Sequence, residues 1–238
     1  MKKSIIFTLL IASMLPTWAQ NKDIIPAEAK EKFNFEDLII KDRLFVDVFS
    51  SIWINFNNNQ YKQRGINQGV NAAFMFDLPV RKNSPFSFGI GVGVTSHNLF
   101  SNAHVYIGPD YVTMMKPIPD AIEYDNNKIS FTNINIPLEF RYFHSSGFKI
   151  SAGVRVGLMA DVHTKYYGRN IDGADISEKY KNKKIPNYTK VPVEFTFRTG
   201  WKYFAVNASY MVTKLFVVDK APQLQMYPFN VGISIALY

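Results

Sequence analysis

The sequence predicts an all-β chain folded as an eight-stranded antiparallel up-and-down transmembrane β-barrel, and three observations carry that prediction. From Arg43 onward, stretches of roughly ten residues alternate apolar side chains with polar or small ones, the period of a strand with two unlike faces. The connections between these stretches alternate long and short. No apolar face carries a charge, as a lipid-facing surface requires, because an Arg or Lys at the bilayer midplane costs roughly 2 to 4 kcal/mol. A soluble sandwich alternates too, but its charges lie on the solvent face. Here they share a face with Gly, Ser and Asn.

Composition narrows the classes. Of 238 residues, 47% are hydrophobic, 15% aromatic and 19% charged. A mean hydropathy of -0.08 is too polar for a helical membrane protein. Beyond the first twenty positions no uninterrupted apolar window is long enough for a transmembrane helix. The 20 Phe and 13 Tyr exclude disorder. The formal charge of +8 is scattered rather than clustered, which argues against a nucleic-acid face. The absence of cysteine excludes a disulfide framework, a thiol nucleophile and a lipoprotein anchor.

Residues 1–19 read as a signal peptide: Lys2 and Lys3, an apolar run from Ile5 to Leu15, then Thr17 and Ala19 before a cut ahead of Gln20. Residues 20–43 read as a periplasmic amino-terminal arm. Pro26 followed by Ala27, Ala29, Phe33, Leu38 and Ile39 among mixed charges suits a short interfacial helix or docking arm, and a disordered tether equally. The barrel is expected over residues 44–238.

Its first run, Leu44 to Phe56, sets Val46, Val48, Ile52 and Ile54 against Asp47, Ser51 and Asn55. The second, Gln68 to Val80, sets Val70, Phe74 and Phe76 against Asn71 and Asp77. The third, Phe86 to Thr95, alternates Phe86, Phe88, Ile90, Val92 and Val94 with Ser87, Gly89, Gly91 and Gly93. The fourth, Ile129 to Phe143, places Ile134, Ile136, Leu138 and Phe140 opposite Asn133, Asn135, Glu139 and Arg141. The fifth, Phe148 to Asp161, places Ile150, Val154, Val156 and Leu158 opposite Lys149, Gly153, Arg155 and Gly157. The sixth, Lys190 to Arg198, places Val193, Phe195 and Phe197 opposite Glu194, Thr196 and Arg198. The seventh, Tyr203 to Val212, and the eighth, Met226 to Tyr238, alternate Val206, Ala208, Val231, Ile233 and Ile235 with Asn207, Ser209, Asn230 and Ser234. The first and eighth are expected to pair and close the cylinder.

Residues 81–85, 144–147 and 199–202 are the short connections; 57–67, 96–128, 162–189 and 213–225 are the long ones. With the amino terminus in the periplasm, the short turns are periplasmic and the long loops extracellular. The inner face carries Asp47, Asp77, Glu139, Asp161 and Glu194 against Arg141, Lys149, Arg155, Lys190 and Arg198, five against five. Eight strands enclose an interior about filled by side chains, so these groups pair with one another as a polar, structural core. Glycines such as Gly89 and Gly153 leave room for the long side chains opposite. Counting up from the short turns puts Arg155 between Glu139 and Glu194. Phe86, Tyr142, Phe143, Phe148, Trp201, Tyr203 and Tyr238 mark a periplasmic aromatic girdle.

Ile136-Pro137-Leu138-Glu139-Phe140-Arg141 echoes Val191-Pro192-Val193-Glu194-Phe195 with Arg198 following, and a proline in a paired strand usually marks a bulge or an edge. IPLEFR at 136–141, FSFGIGVGV at 86–94, Lys214-Leu215-Phe216 and Tyr227-Pro228 together resemble the PorT-like outer-membrane β-barrel domain family of Bacteroidota, over Asp42 to Tyr238. That resemblance implies a role in protein secretion or surface assembly and carries no active site.

Chemistry is sparse. His97, His104, His144 and His163 are dispersed without metal-ligand spacing. His144-Ser145-Ser146 superficially resembles the His and Ser pair of lipid A deacylases but falls in a short periplasmic turn, whereas such enzymes work on the outer leaflet. Lys179, Lys181, Lys183 and Lys184 read as a solvated face, with contact to anionic lipopolysaccharide as the alternative. The expected function is a non-enzymatic outer-membrane barrel without cofactor, a structural or interaction component among outer-membrane lipids, lipopolysaccharide and envelope proteins. A lipid-modifying enzyme and a small-solute pore are the alternatives.

Overall fold

The computed structural model describes residues 44–56, 60–172, 174, 176–183 and 185–237. The signal peptide and arm expected over residues 1–43, together with Lys184 and Tyr238, lie outside the described residues. In chain order the strands are β1 (Leu44–Ile54), β2 (Gln68–Pro79), β3 (Phe86–Phe100), β4 (Ala103–Ile107), β5 (Thr113–Pro117) and β6 (Tyr124–Phe143). They continue with β7 (Phe148–Arg169), β8 (Ser177–Asn182), β9 (Val193–Trp201), β10 (Phe204–Met211) and β11 (Tyr227–Leu237).

Eight of these strands form a closed ring, β1-β2-β3-β6-β7-β9-β10-β11, with every neighbour antiparallel. The ring shuts where β1 meets β11, from Leu44↔Leu237 to Ile54↔Tyr227. The barrel is inside-out. On the outer wall Val48, Phe88, Val92 and Ile233 are more than half exposed, while inward Asp47, Asn71 and Glu139 are buried. Only a wall facing lipid reconciles that inversion with a folded chain.

The strands outrun the sequence pattern at the long-loop end. β3 continues to Phe100, β6 begins at Tyr124, and β7 reaches Arg169. Inside these extensions the inner face changes character. Along β3 the inward series Ser87, Thr95 and His97 passes to buried Leu99, and along β6 Asn135 and Asn133 give way to Phe131 and Ile129. The expected long loops are ordered there as a crown. β4 and β5 form a separate two-stranded ribbon, and β8 adds to the free upper edge of β7. Trp53, Phe56, Leu99, Val105, Met115, Phe131, Val162, Met211, Phe216 and Leu224 belong to one buried apolar core that lids the barrel.

Two expectations about strand phase are corrected. The β6–β7 register shifts at Thr132/Asn133, whose partners are Asp161 and Met159, leaving Ala160 as the extra residue of a bulge. Beyond it the buried positions move from Arg155 and Gly157 to Val162, Thr164 and Tyr166. Asp161 therefore leaves the inner face, and its half-exposed carboxylate meets His163 instead. Lys190 is likewise exposed and precedes β9. Both prolines sit where a donor is not needed. The β3–β6 ladder is interrupted at Ile136 and Pro137, and Pro192 precedes β9, accepting from Gly157 N at 2.9 Å.

Candidate functional site

The barrel interior is organised around an unbroken string of alternating charges. Arg141 of β6 donates Nη1 to Asp77 of β2 at 2.7 Å and Nε to Glu139 at 3.0 Å. The other Glu139 oxygen accepts from Arg198 of β9 at 2.9 Å. Arg198 also donates Nη2 to Asp47 of β1 at 3.1 Å and Nε to Ser234 at 2.9 Å. The Ser234 hydroxyl donates to Asp47, and Asn71 donates its amide to the same carboxylate at 2.7 Å. Arg155 of β7 lies 3.9 Å from Asp47 and donates to Glu194 at 2.9 Å. His97 Nε2 ends the string 3.1 Å from Glu194.

This placement corrects the expectation that Arg155 sits between Glu139 and Glu194. Glu194 is directly opposite Arg155, but Glu139 faces Gly153, two residues nearer the short turns. The cause is the length of β9, which runs to Trp201 and leaves a tight turn at Lys202-Tyr203 in place of residues 199–202. Glu194 is thus three residues further from its turn than the pattern indicates, and the second carboxylate near Arg155 is Asp47. The phase shifts leave Asp47, Asp77, Glu139 and Glu194 against Arg141, Lys149, Arg155 and Arg198, four against four. Lys149 is 7% exposed, at the short-turn end.

Phe45, which sequence reasoning passed over, stands at the centre of the lower cations. Arg198, Arg141 and Lys149 lie 4.8, 4.9 and 5.6 Å from its ring centroid. Such contacts are worth roughly 0.5 to 2 kcal/mol each. The signal was present, since an aromatic between Leu44 and Val46 falls on the polar phase of β1. Thr95 is the last residue of the third run as expected from sequence, and His97 lies beyond that expected end because β3 continues to Phe100. Thr95 accepts from Arg155 at 3.2 Å and donates to Asn71 at 2.8 Å.

Glycine matters where these long groups lie against the wall. A Cβ on Gly89 would stand 2.7 Å from Arg141 Nε, and one on Gly69 2.1 Å from the Phe49 ring. Two cavities beside the string have volumes of about 10 Å³ each. That is room for about one water molecule. Above the string Trp53 meets His97 edge-on at 6.5 Å and Phe131 at 5.6 Å, where the apolar lid begins.

Loops from around the ring knit the crown. Tyr61 donates its hydroxyl to Met115 O at 2.9 Å, Thr113 to Pro186 O at 3.0 Å, and Asn187 its amide to Tyr111 O at 2.6 Å. The Tyr180 hydroxyl of β8 and His104 Nδ1 of β4 share a hydrogen bond at 3.1 Å. Burial and the nearby Lys116 hold His104 below the ordinary histidine range. Burial and the Glu178 carboxylate push the Tyr180 phenol up to about 12.

At the short-turn end Phe86 is paired with Tyr142 and Phe148 with Trp201, and Trp201 and Tyr203 are exposed on the wall. His144 Nδ1 accepts from Ser146 Oγ at 2.7 Å and from Ser146 N at 3.2 Å, a bonding pattern local to an exposed turn. Among the described residues no group of three His, Asp or Glu side chains converges as a metal cage.

The fold is similar to that of Ail, the attachment invasion locus protein of Yersinia pestis. The Ail structure in complex with the heparin analogue sucrose octasulfate aligns with 14% identity and a TM-score of 0.39, over 82% of this chain and 97% of that chain. A further Ail structure aligns with 13% identity and a TM-score of 0.37 over the same shares. No curated protein matches the sequence. Residues 33–213 match the outer membrane protein beta-barrel domain family, and with the closed lipid-facing ring described above the chain belongs to that family of outer-membrane barrels.

Proposed function

We propose that the protein is a non-enzymatic, non-conducting outer-membrane barrel that serves as a structural or interaction component of an envelope complex. In this reading the short turns and the amino-terminal arm are periplasmic and the crown stands at the cell surface. The PorT-like resemblance points to protein secretion or surface assembly as the process. The observation that carries the reading is the double seal of the lumen, an ion-paired string below and an apolar lid above, which leaves the crown and arm as the parts able to meet partners. Strand extensions and inter-loop hydrogen bonds make the crown a shaped surface, as a protein contact requires.

Affinity purification of the tagged protein from native membranes tests this. A partner should be recovered in stoichiometric amount with the parent. It should be lost when residues 103–117 are replaced by a short polar turn, with the folded barrel still seen by its heat-shifted mobility on gels. A parent that comes away with no stoichiometric protein would overturn the reading.

A further inference from the structure

Above the lipid-facing band, cations from neighbouring strands stand in one register row on the outer wall. Lys128 of β6 pairs with Lys165 of β7, and Lys165 with Lys181 of β8. Cross-strand partners share a face. This face is the outward one, since the adjoining Ile129, Thr164 and Tyr166 are buried and Lys165 and Lys181 are exposed. Phe100 of β3 continues the row opposite Lys128, with the Lys128 ammonium 5.1 Å and the Arg64 guanidinium 5.4 Å from its ring centroid. At about 4.8 Å between strands the row is roughly 15 Å wide.

No carboxylate within the described residues forms an ion pair with any of these four cations. Asp161 is engaged by His163, and Glu178, on the opposite face, accepts from Asn170 at 2.6 Å. Like charges directly opposite on a sheet are destabilising. Burial, then Lys165 and Lys181, hold Lys128 below its ordinary range. Lysines that merely blunt a free strand edge belong on that edge. β8 supplies one, whereas β6 and β7 are interior to the sheet where the row crosses them. A row of cations across interior strands suits an external anion.

Its height indicates which. Lys128 lies six residues beyond Ile134, the last lipid-facing apolar residue of β6 before the polar belt. At about 3.3 Å per residue on strands tilted by roughly 40°, that is about 15 Å above the apolar edge. Between the two levels lies a belt of hydroxyls and amides, in which Ser130 and Lys128 both donate to Asn98 Oδ1, at 2.7 and 2.9 Å, and Thr132 donates to Ser96 at 3.2 Å. We propose that this row binds the phosphate groups of lipopolysaccharide in the outer leaflet. The inference rests on the surface orientation of the crown proposed above.

The test uses the purified barrel in non-ionic detergent, offered an equal mixture of inner-core lipopolysaccharide and the same lipid dephosphorylated with hydrofluoric acid. Mass spectrometry of the lipid retained after gel filtration reads the preference. The parent should retain the phosphorylated form selectively. The Lys128→Gln, Lys165→Gln, Lys181→Gln variant should lose that preference by roughly fivefold per lysine. Lys165→Glu, at an exposed position, should lose it as well if the triple variant does not fold. Equal retention of both lipids by the parent, or an unchanged preference in either variant, would sink the proposal. Displacement of the lipid by inorganic phosphate at an equal phosphate concentration would assign the row to free phosphate instead. These readouts need no protein partner, so their failure is separate from failure of the purification experiment.

Discussion

Arg198 and Arg155 belong to one string of charges, but their loss has unequal consequences. Arg198 holds Glu139 at 2.9 Å and Asp47 at 3.1 Å, and its removal leaves two buried carboxylates without the cation they share. Breaking a buried pair in this way costs roughly 3 to 5 kcal/mol. Arg155 holds Glu194, which keeps His97 at 3.1 Å when Arg155 is lost, while Asp47 keeps Arg198. Arg198→Met should therefore lower the temperature at which the detergent-solubilised barrel loses its folded gel mobility by more than Arg155→Met does. Adding Glu139→Gln and Asp47→Asn to Arg198→Met should restore much of the difference. The reverse order of the two single variants would show that the string is not held together by these contacts. Which charges face inward was legible from strand phase alone, as with Asp47, Glu139 and Arg198. Which of them touch was not, because contact depends on where a turn falls, and the turn at Lys202-Tyr203 is two residues tighter than the alternation suggests.

Strands are easiest to read where one face meets lipid and the other a polar interior, and hardest where that contrast ends. The stretch Ser96-His97-Asn98-Leu99-Phe100 crosses from membrane to crown, so the outer wall turns polar just as the inner wall turns apolar, and the alternation loses its sign. β4 and β5 are five residues each, and β8 presents half-buried Tyr180 between charged neighbours, so the crown reads as loop. The bulge at Ala160 is silent in sequence for the same reason, since it lies at that crossing. The orientation proposed from the element lengths is open to a direct test. Asp172, in the connection from β7 to β8, has a side chain 84% exposed, and Ser145, in the turn from β6 to β7, is exposed at the opposite end. Cysteine introduced at Asp172 should react with an impermeant maleimide in intact cells. Cysteine at Ser145 should react only after the outer membrane is opened. Equal labelling in intact cells, or labelling at Ser145 alone, would reverse or void the proposed orientation.

Closure of the ring follows from two whole-chain properties that the sequence displays openly: the alternation of connection lengths, and the like pattern of its first and last strands, which pair from Leu44↔Leu237 to Ile54↔Tyr227. An eight-stranded cylinder has an interior that side chains about fill, so whether it conducts depends on what fills it. Here the filling is in two layers of opposite chemistry. The lower layer is a balanced set of charges linked by ion pairs, with adjacent cavities of about 10 Å³. The upper layer is the apolar lid around Trp53, Phe131 and Phe216. An ion entering from the crown must shed its water among apolar side chains, and one entering from the short turns must displace an existing ion pair; each step costs several kcal/mol. The two barriers act in series, so removing one leaves the other. Planar bilayers holding the parent should show no unitary conductance steps, and Phe131→Ala, which thins only the lid, should be equally silent. Steady steps from the parent, selective for one sign of ion, would mean that the charge string is a hydrated path rather than a seal, and the small-solute pore would then displace the interaction component as the working account of this barrel.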